Sequence, residues 1–275
     1  MTPTERATGI IWPVLQQPDI HRITPEGVTT VSRIQLPECP NEAMWLKPCD
    51  LDTAEILTFL DGLHIAERLL LYDHSSMLTA DEGETSLVDL MSDYEDSADF
   101  IEEPAVKTAL VSYISNHMFL LSNGIFQKDT DAHNAMIDSD GIAIIIDFYG
   151  ADRPYDSQSI KESEKCVRDA LQDVFEGPLH HDQRFNDSYF SVSKTGSNKE
   201  FDRLAERFSA YIANILKFPL YTRPQRAINE LIETGFLNDF ISSLQLPSNL
   251  DQAVYQRLDQ LLHKSAEQYN DVYTT

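Results

Sequence analysis

The sequence predicts an α+β chain, with a small β-rich part first and a larger helical part after it. Two observations carry that expectation. Before residue 80 the apolar residues fall in short or alternating runs bounded by Gly, Pro and Asn, the pattern of strands and turns. Beyond about residue 92 they recur at helical spacing over long stretches. The 275 residues, 42% of them hydrophobic, suffice for a sizeable core in one large domain or in two lobes sharing a cleft.

IHRI, VTTVSRIQL and AMWLK read as the first strands, with a turn at Pro25, Glu26 and Gly27. Asp50 or Asp52 caps a helix through TAEILTFLDGL, where Ile56, Leu57, Leu60 and Leu63 recur at helical spacing and Gly62 sits near the end. RLLLYD and SSMLTA follow as a strand pair, and SLVDLM as a helix. SDYEDSADFIEEP reads as an acidic loop or solvated edge, and VKTALVSYISNHMFLLSNG as an amphipathic helix ending at Asn123 and Gly124. NAMID and IAIIIDF read as strands joined by a hairpin turn at Ser139, Asp140 and Gly141. SIKESEKCVRDALQDVF, EFDRLAERFSAYIANILK, PQRAINELIETGFLNDFISSL and LDQAVYQRLDQLLHKSAEQY read as four helices, with an exposed loop between Gly177 and Lys199.

With 21 basic and 45 acidic residues, the formal net charge of −24 argues against a nucleic-acid backbone or an anionic membrane surface as the main partner. A basic protein substrate or partner is compatible with it. No apolar run approaches the length of a membrane span, and the beginning of the chain lacks the pattern of a secretory leader, so a cytosolic or nuclear location is expected. Cys39, Cys49 and Cys166 have no CxxC spacing and an odd count, which predicts reduced thiols rather than a structural zinc or a disulfide framework.

The chemistry concentrates in GIFQKDTDAHNAMIDSDGIAIIIDFYG, Gly124 to Gly150. Phosphoryl transfer from ATP needs a carboxylate to orient the acceptor hydroxyl and oxygen ligands for magnesium. Asp129 and Asn134 lie five residues apart, and Asp147 stands thirteen further on, after the apolar run IAIII. A hairpin between them folds Asp147 back towards Asn134. An Asp-rich turn before a buried strand accounts for this stretch taken alone.

Other segments decide between the two. GIFQKDTDAHN resembles the catalytic loop of the protein-kinase superfamily, with Gln127, Lys128 and Asp129 where HRD is usual, and Asp147, Phe148 and Tyr149 resemble its DFG. AMWLK, ending in Lys47, is similar to the strand whose lysine holds nucleotide phosphates, and EILTFLDGLH, from Glu55 to His64, to the helix whose glutamate pairs with it. MLTADEGETSLVDLM resembles the last small-lobe strand, the interlobe hinge and the helix beyond, and Thr222, Arg223 and Pro224 match a late RP-containing segment. The order of these segments along the chain is that of the family.

The resemblance implies a bilobal protein-kinase-like fold, with residues 1–80 as N-lobe and 81–275 as C-lobe, the catalytic loop lying in 124–150. It implies ATP and Mg2+ as ligands. Asp129 would be the catalytic acid/base, Lys47 and Glu55 would position phosphates, and Asn134 with Asp147 would bind the metal. Thr79, near the gatekeeper position, and Ala80, Asp81 and Glu82 of the hinge would contact the nucleotide. Transfer to a Ser or Thr hydroxyl of a protein is the leading expectation, in the cytoplasm, or in a host cytosol for a delivered effector.

The chain also departs from the family pattern. ITPEGVTTVSRI has one glycine, Gly27, where a Gly-rich phosphate loop is usual, so phosphate is gripped more weakly or differently. Lys47 and Glu55 are eight residues apart, a shortened linker. Asp131 stands where a lysine would neutralise the transferring group, Tyr149 replaces the DFG glycine, and no APE motif follows. Lys128 in place of the HRD arginine would meet a loop phosphate only as a point charge, so regulation by loop phosphorylation is not expected. These departures keep two other readings open: a pseudokinase that binds a protein partner, and a small-molecule phosphotransferase of the aminoglycoside or choline kinase kind.

Overall fold

A computed structural model describes residues 21–23, 31–36, 39–72, 76–94, 100–127, 132–148, 199–244, 246 and 250–273. It is mixed α+β, with a small antiparallel sheet followed mainly by helices. The turn at Pro25 to Gly27, the helix expected over SIKESEKCVRDALQDVF and the loop after Gly177 lie outside the described residues, as do Lys128, Asp129, Asp131 and Tyr149.

Strands β1 (His21–Ile23), β2 (Ser32–Leu36), β3 (Cys39–Pro48), β4 (Leu69–Tyr72) and β5 (Ser76–Ala80) form one sheet in the order β1-β2-β3-β5-β4. Every pairing is antiparallel, with Arg33 opposite Trp45, Trp45 opposite Thr79 and Lys47 opposite Met77. Because side chains alternate along a strand, Trp45 and Lys47 share one face and Met44 and Leu46 the other. Ile34, Met44 and Leu78 make a small cluster on that second face.

The first helix among the described residues, α1 (Leu51–Leu60), connects β3 to β4. Asp50 caps it, accepting from the Thr53 N–H at 2.6 Å, and Asp52 in the first turn suits the positive end of the helix dipole. Ile56, Leu57, Phe59 and Leu60 enter the same core as the later helices, so α1 packs with the helical part of the molecule although it precedes residue 80. The capping box of Ser86 and Asp89 starts α2 (Leu87–Ser92).

Pro104 opens α3 (Pro104–Ser122), the central helix of the core. It closes as the sequence predicts: Gly124, at φ +67°, donates to Leu121 O and Ile125 to Leu120 O, a Schellman motif. Strands β6 (Ala135–Ile137) and β7 (Ala143–Ile145) form the expected hairpin, its turn held by the Asp138 carboxylate, which accepts from the N–H groups of Asp140 and Ile142. Polar residues of α3 satisfy the β7 backbone: Ser112 Oγ accepts from Ala143 N–H, and Asn116 Nδ2 donates to Ala143 O, both at 2.8 Å.

Beyond the hairpin come α4 (Lys199–Ile215), α5 (Arg223–Ala227), α6 (Phe236–Ser243) and α7 (Leu250–Tyr273). PQRAINELIETGFLNDFISSL is not the single helix that its periodicity suggests. After α5 the backbone widens into a π-turn at Ile228–Ile232, and Gly235, at φ +73°, ends the run before α6 begins. Arg223, 2% exposed, donates through Nε to Phe218 O and through Nη1 to Asn123 O, tying this region to the end of α3. Among the described residues no helix is long and apolar enough to cross a membrane.

His117 is enclosed in α3 with its ring 4.6 Å from that of Tyr113, and desolvation lowers its pKa to about 3. In the unfolded chain the imidazole takes up a proton near pH 6.5, so its contribution to stability is full above that pH and is lost as the pH falls towards 3. Each unit in that window costs up to about 1.4 kcal/mol. His117→Phe, which fills the site without a titrating group, is expected to flatten the loss of stability between pH 6 and 4 in denaturant melts. An unchanged slope would contradict the assignment.

Candidate functional site

Lys47 reaches from β3 into the interior, 7% exposed, and its ammonium donates to Glu67 Oε2 at 2.7 Å. Glu67, 2% exposed, uses its other oxygen, Oε1, to accept from the main-chain N–H of Asp147 at 2.8 Å. One carboxylate therefore joins the sheet lysine to the backbone of the aspartate that the sequence marks as a metal ligand. The partner is not Glu55, which the family resemblance implies. The inward stripe of α1 is taken by Thr53, Ala54, Ile56, Leu57, Phe59 and Leu60, leaving Glu55 on a half-buried flank.

Backbone pairing brings Glu67 to its place. The segment before β4 runs parallel to β7: Ile145 N–H donates to Ile65 O at 3.1 Å, and Glu67 N–H to Ile145 O at 2.9 Å. Two residues beyond Ile145 comes Asp147, in the left-handed region at φ +61°. A non-glycine residue holds that conformation only where its surroundings fix it. Here Glu67 holds its N–H, Gln127 Nε2 donates to Ile146 O at 2.8 Å and to Asp147 O at 3.3 Å, and Thr53 Oγ1 donates to Phe148 O at 3.3 Å. Phe148 is fully buried while Asp147 is exposed. The turn thus anchors its aromatic residue in the core and presents its carboxylate at the surface.

Asn134 lies at the other end of the hairpin, in a 3-10 turn, and its carbonyl accepts from Ile146 N–H at 2.8 Å. The hairpin thus sets Asn134 opposite the residue before Asp147, as the spacing predicts. Among the described residues no group of three His, Cys, Asp or Glu side chains could hold a metal ion. One carboxylate and one carboxamide nevertheless fit magnesium, a hard cation that keeps several waters and completes its shell with phosphate oxygens. Asp129, the expected acid/base, lies outside the described residues.

The predicted nucleotide-contacting residues lie at the end of β5. Thr79 is fully buried, and its hydroxyl has no hydrogen-bond partner among the described residues. Ala80 N–H donates to Arg68 O and Asp81 N–H to Ala43 O, while the Glu82 carboxylate accepts from Arg68 N–H. The Asp81 carboxylate pairs with Arg33 at 2.7 Å, and the Arg33 guanidinium lies 6.0 Å from the centre of the Trp45 ring. A cleft of about 400 Å³ opens here, lined by Arg33, Ala43, Ala80, Asp81 and Gly83 among others.

No family model matches the chain, and no curated protein matches it. Sequence reasoning missed Glu67, Gln127 as a backbone clamp, and the Thr53 contact. Only Glu67 carries a local signal, as an acid with Arg68 set between the apolar residues Ile65, Ala66 and Leu69 to Leu71 of HIAERLLLY.

Proposed function

We propose that the chain is an ATP- and magnesium-dependent phosphotransferase with a protein-kinase-like, two-lobed fold, acting on a protein hydroxyl. The observation that carries this reading is the bridge Lys47–Glu67–Asp147, since nothing in packing alone requires a buried lysine and a buried glutamate beside an exposed aspartate. Lys47 meets nucleotide phosphate as a point charge held by Glu67. Asn134 and Asp147 would hold magnesium, which supplies charge neutralisation on the phosphates when bound. Asp129 orients the acceptor hydroxyl. Its oxygen bonds to the γ-phosphorus, the bond to the bridging oxygen of ADP breaks, and the hydroxyl proton passes to the Asp129 carboxylate.

The test is release or transfer of the γ-phosphate from labelled ATP. Asp129→Ala is expected to lower the rate by about 100-fold or more, in the range of a lost general base, with ATP affinity nearly unchanged. Equal rates in the variant and wild type would remove the assignment.

The Trp45–Arg33–Asp81 arrangement favours a second reading, a pseudokinase that binds a protein partner. It places bulk on the sheet face and engages Asp81, one of the residues proposed to meet the base, in an ion pair. On that reading Asp129→Ala leaves partner binding unchanged and no ATP-dependent activity is found.

A further inference from the structure

The negative end of α1 lacks a basic residue of its own. Helix ends leave carbonyls unpaired, and such an end is stabilised by donors, most of all by a cation. These donors come from α7, some 200 residues away in sequence: Lys264 Nζ donates to Gly62 O at 2.7 Å, Gln268 Nε2 to Asp61 O at 2.8 Å, and Tyr269 Oη to Phe59 O at 2.6 Å. The Tyr269 ring also stacks on Phe59, with centroids 5.4 Å apart, and meets Tyr221 edge-on at 5.0 Å. Three side chains within six residues of α7 thus converge on four residues of the chain, Phe59 to Gly62.

The clamped stretch is continuous with the site. Five residues after Gly62 comes Glu67, and between them Leu63 and Ile65 are buried and Ile65 pairs with Ile145. His64, at φ +59°, adds a contact of 3.0 Å from Nε2 to Asp138 in the hairpin turn. At its other end α1 reaches the site directly, through Thr53 and Phe148 O. A shift of α1 would therefore move both the Glu67 carboxylate and the contact below Asp147.

We infer that Lys264, Gln268 and Tyr269 of α7 form a clamp that positions α1 and Glu67, so that displacing this part of α7 loosens the turn at Asp147 and turns the site off. The consequence for nucleotide binding rests on the phosphotransferase reading; the mechanical coupling does not. A cleft of about 510 Å³ lies beside the clamp, lined by Asp61, His64, Glu67, Arg68, Glu82 and Lys264 among others, so that Lys264 and Glu67 border the same opening.

Amide hydrogen exchange of the ligand-free full chain tests the coupling. Tyr269→Phe with Gln268→Leu keeps the ring stacking and removes the hydrogen bonds of both side chains to the end of α1, together with the one between them; Lys264→Met, a change at an exposed position, provides an independent variant. Both are expected to accelerate exchange in 61–67 and in 145–148 by about tenfold, the scale of one lost hydrogen bond, while α4 and α6 exchange as in wild type. Lys264→Arg, which retains the cation, is expected to restore most of the protection. Acceleration confined to 58–62, or spread evenly over α4 and α6, would overturn the clamp. If the wild type binds ATP, the same variants should weaken binding by a similar factor, and equal affinity with a loosened 145–148 would overturn control of the site. A chain that binds no ATP but shows the coupled exchange keeps the clamp and loses the phosphotransferase reading.

Discussion

Glu67→Gln is expected to destabilise the protein by about 3–5 kcal/mol, the scale on which a buried ion pair fails when one partner is removed. Lys47 and Glu67 are both almost fully enclosed, and their 2.7 Å contact is the only ion pair of Lys47 among the described residues. The neutral amide still offers an oxygen to Asp147 N–H, so the loss reports chiefly on the lysine charge left without its counter-ion. Lys47→Met in the same background removes that charge and should recover much of the stability, because an apolar group of similar length replaces the pair at little net cost. Urea melts of the four proteins in this cycle give the coupling directly. A single Glu67→Gln variant within about 0.5 kcal/mol of wild type, the scale of an ordinary surface change, would show that the bridge is not structurally important.

Much of the architecture is legible in the sequence because local rules dominate there. Alternation marks β2 and β3, Asp50 and Ser86 sit where caps belong, and Asn123-Gly124 ends α3 as a left-handed glycine requires. The failures arise where long-range contacts decide. PQRAINELIETGF has helical periodicity throughout, yet a π-turn and Gly235 divide it, and periodicity does not register a widened turn. The resemblance of EILTFLDGLH to the family's helix pointed to Glu55 as the partner of Lys47, whereas the pairing of Ile65 and Glu67 with Ile145 selects Glu67. Nothing local to Glu67 announces a parallel pairing with a strand almost 80 residues later. The hairpin that sets Asn134 opposite Ile146 was readable because turn chemistry, Asp138 to Gly141, is encoded within it.

Asp147→Ala is the second variant with a large expected effect, and it acts on ligand binding more than on the fold. The Asp147 side chain is exposed, while its backbone is held by Glu67 and Gln127 through atoms that alanine retains. Alanine tolerates φ +61° less well than aspartate, whose short polar side chain favours that region, so a modest stability cost is expected. Removing the carboxylate, however, takes away the only carboxylate ligand proposed for magnesium among the described residues. The most direct measurement is a thermal-shift titration with ATP, with and without Mg2+, on wild type and Asp147→Ala side by side. Binding to the native state must raise the melting temperature, by an amount set by affinity and concentration. The phosphotransferase reading predicts a magnesium-dependent rise in wild type that Asp147→Ala loses, whatever its starting stability. The absence of any shift in wild type at millimolar ATP would contradict it and leave the fold as a binding module.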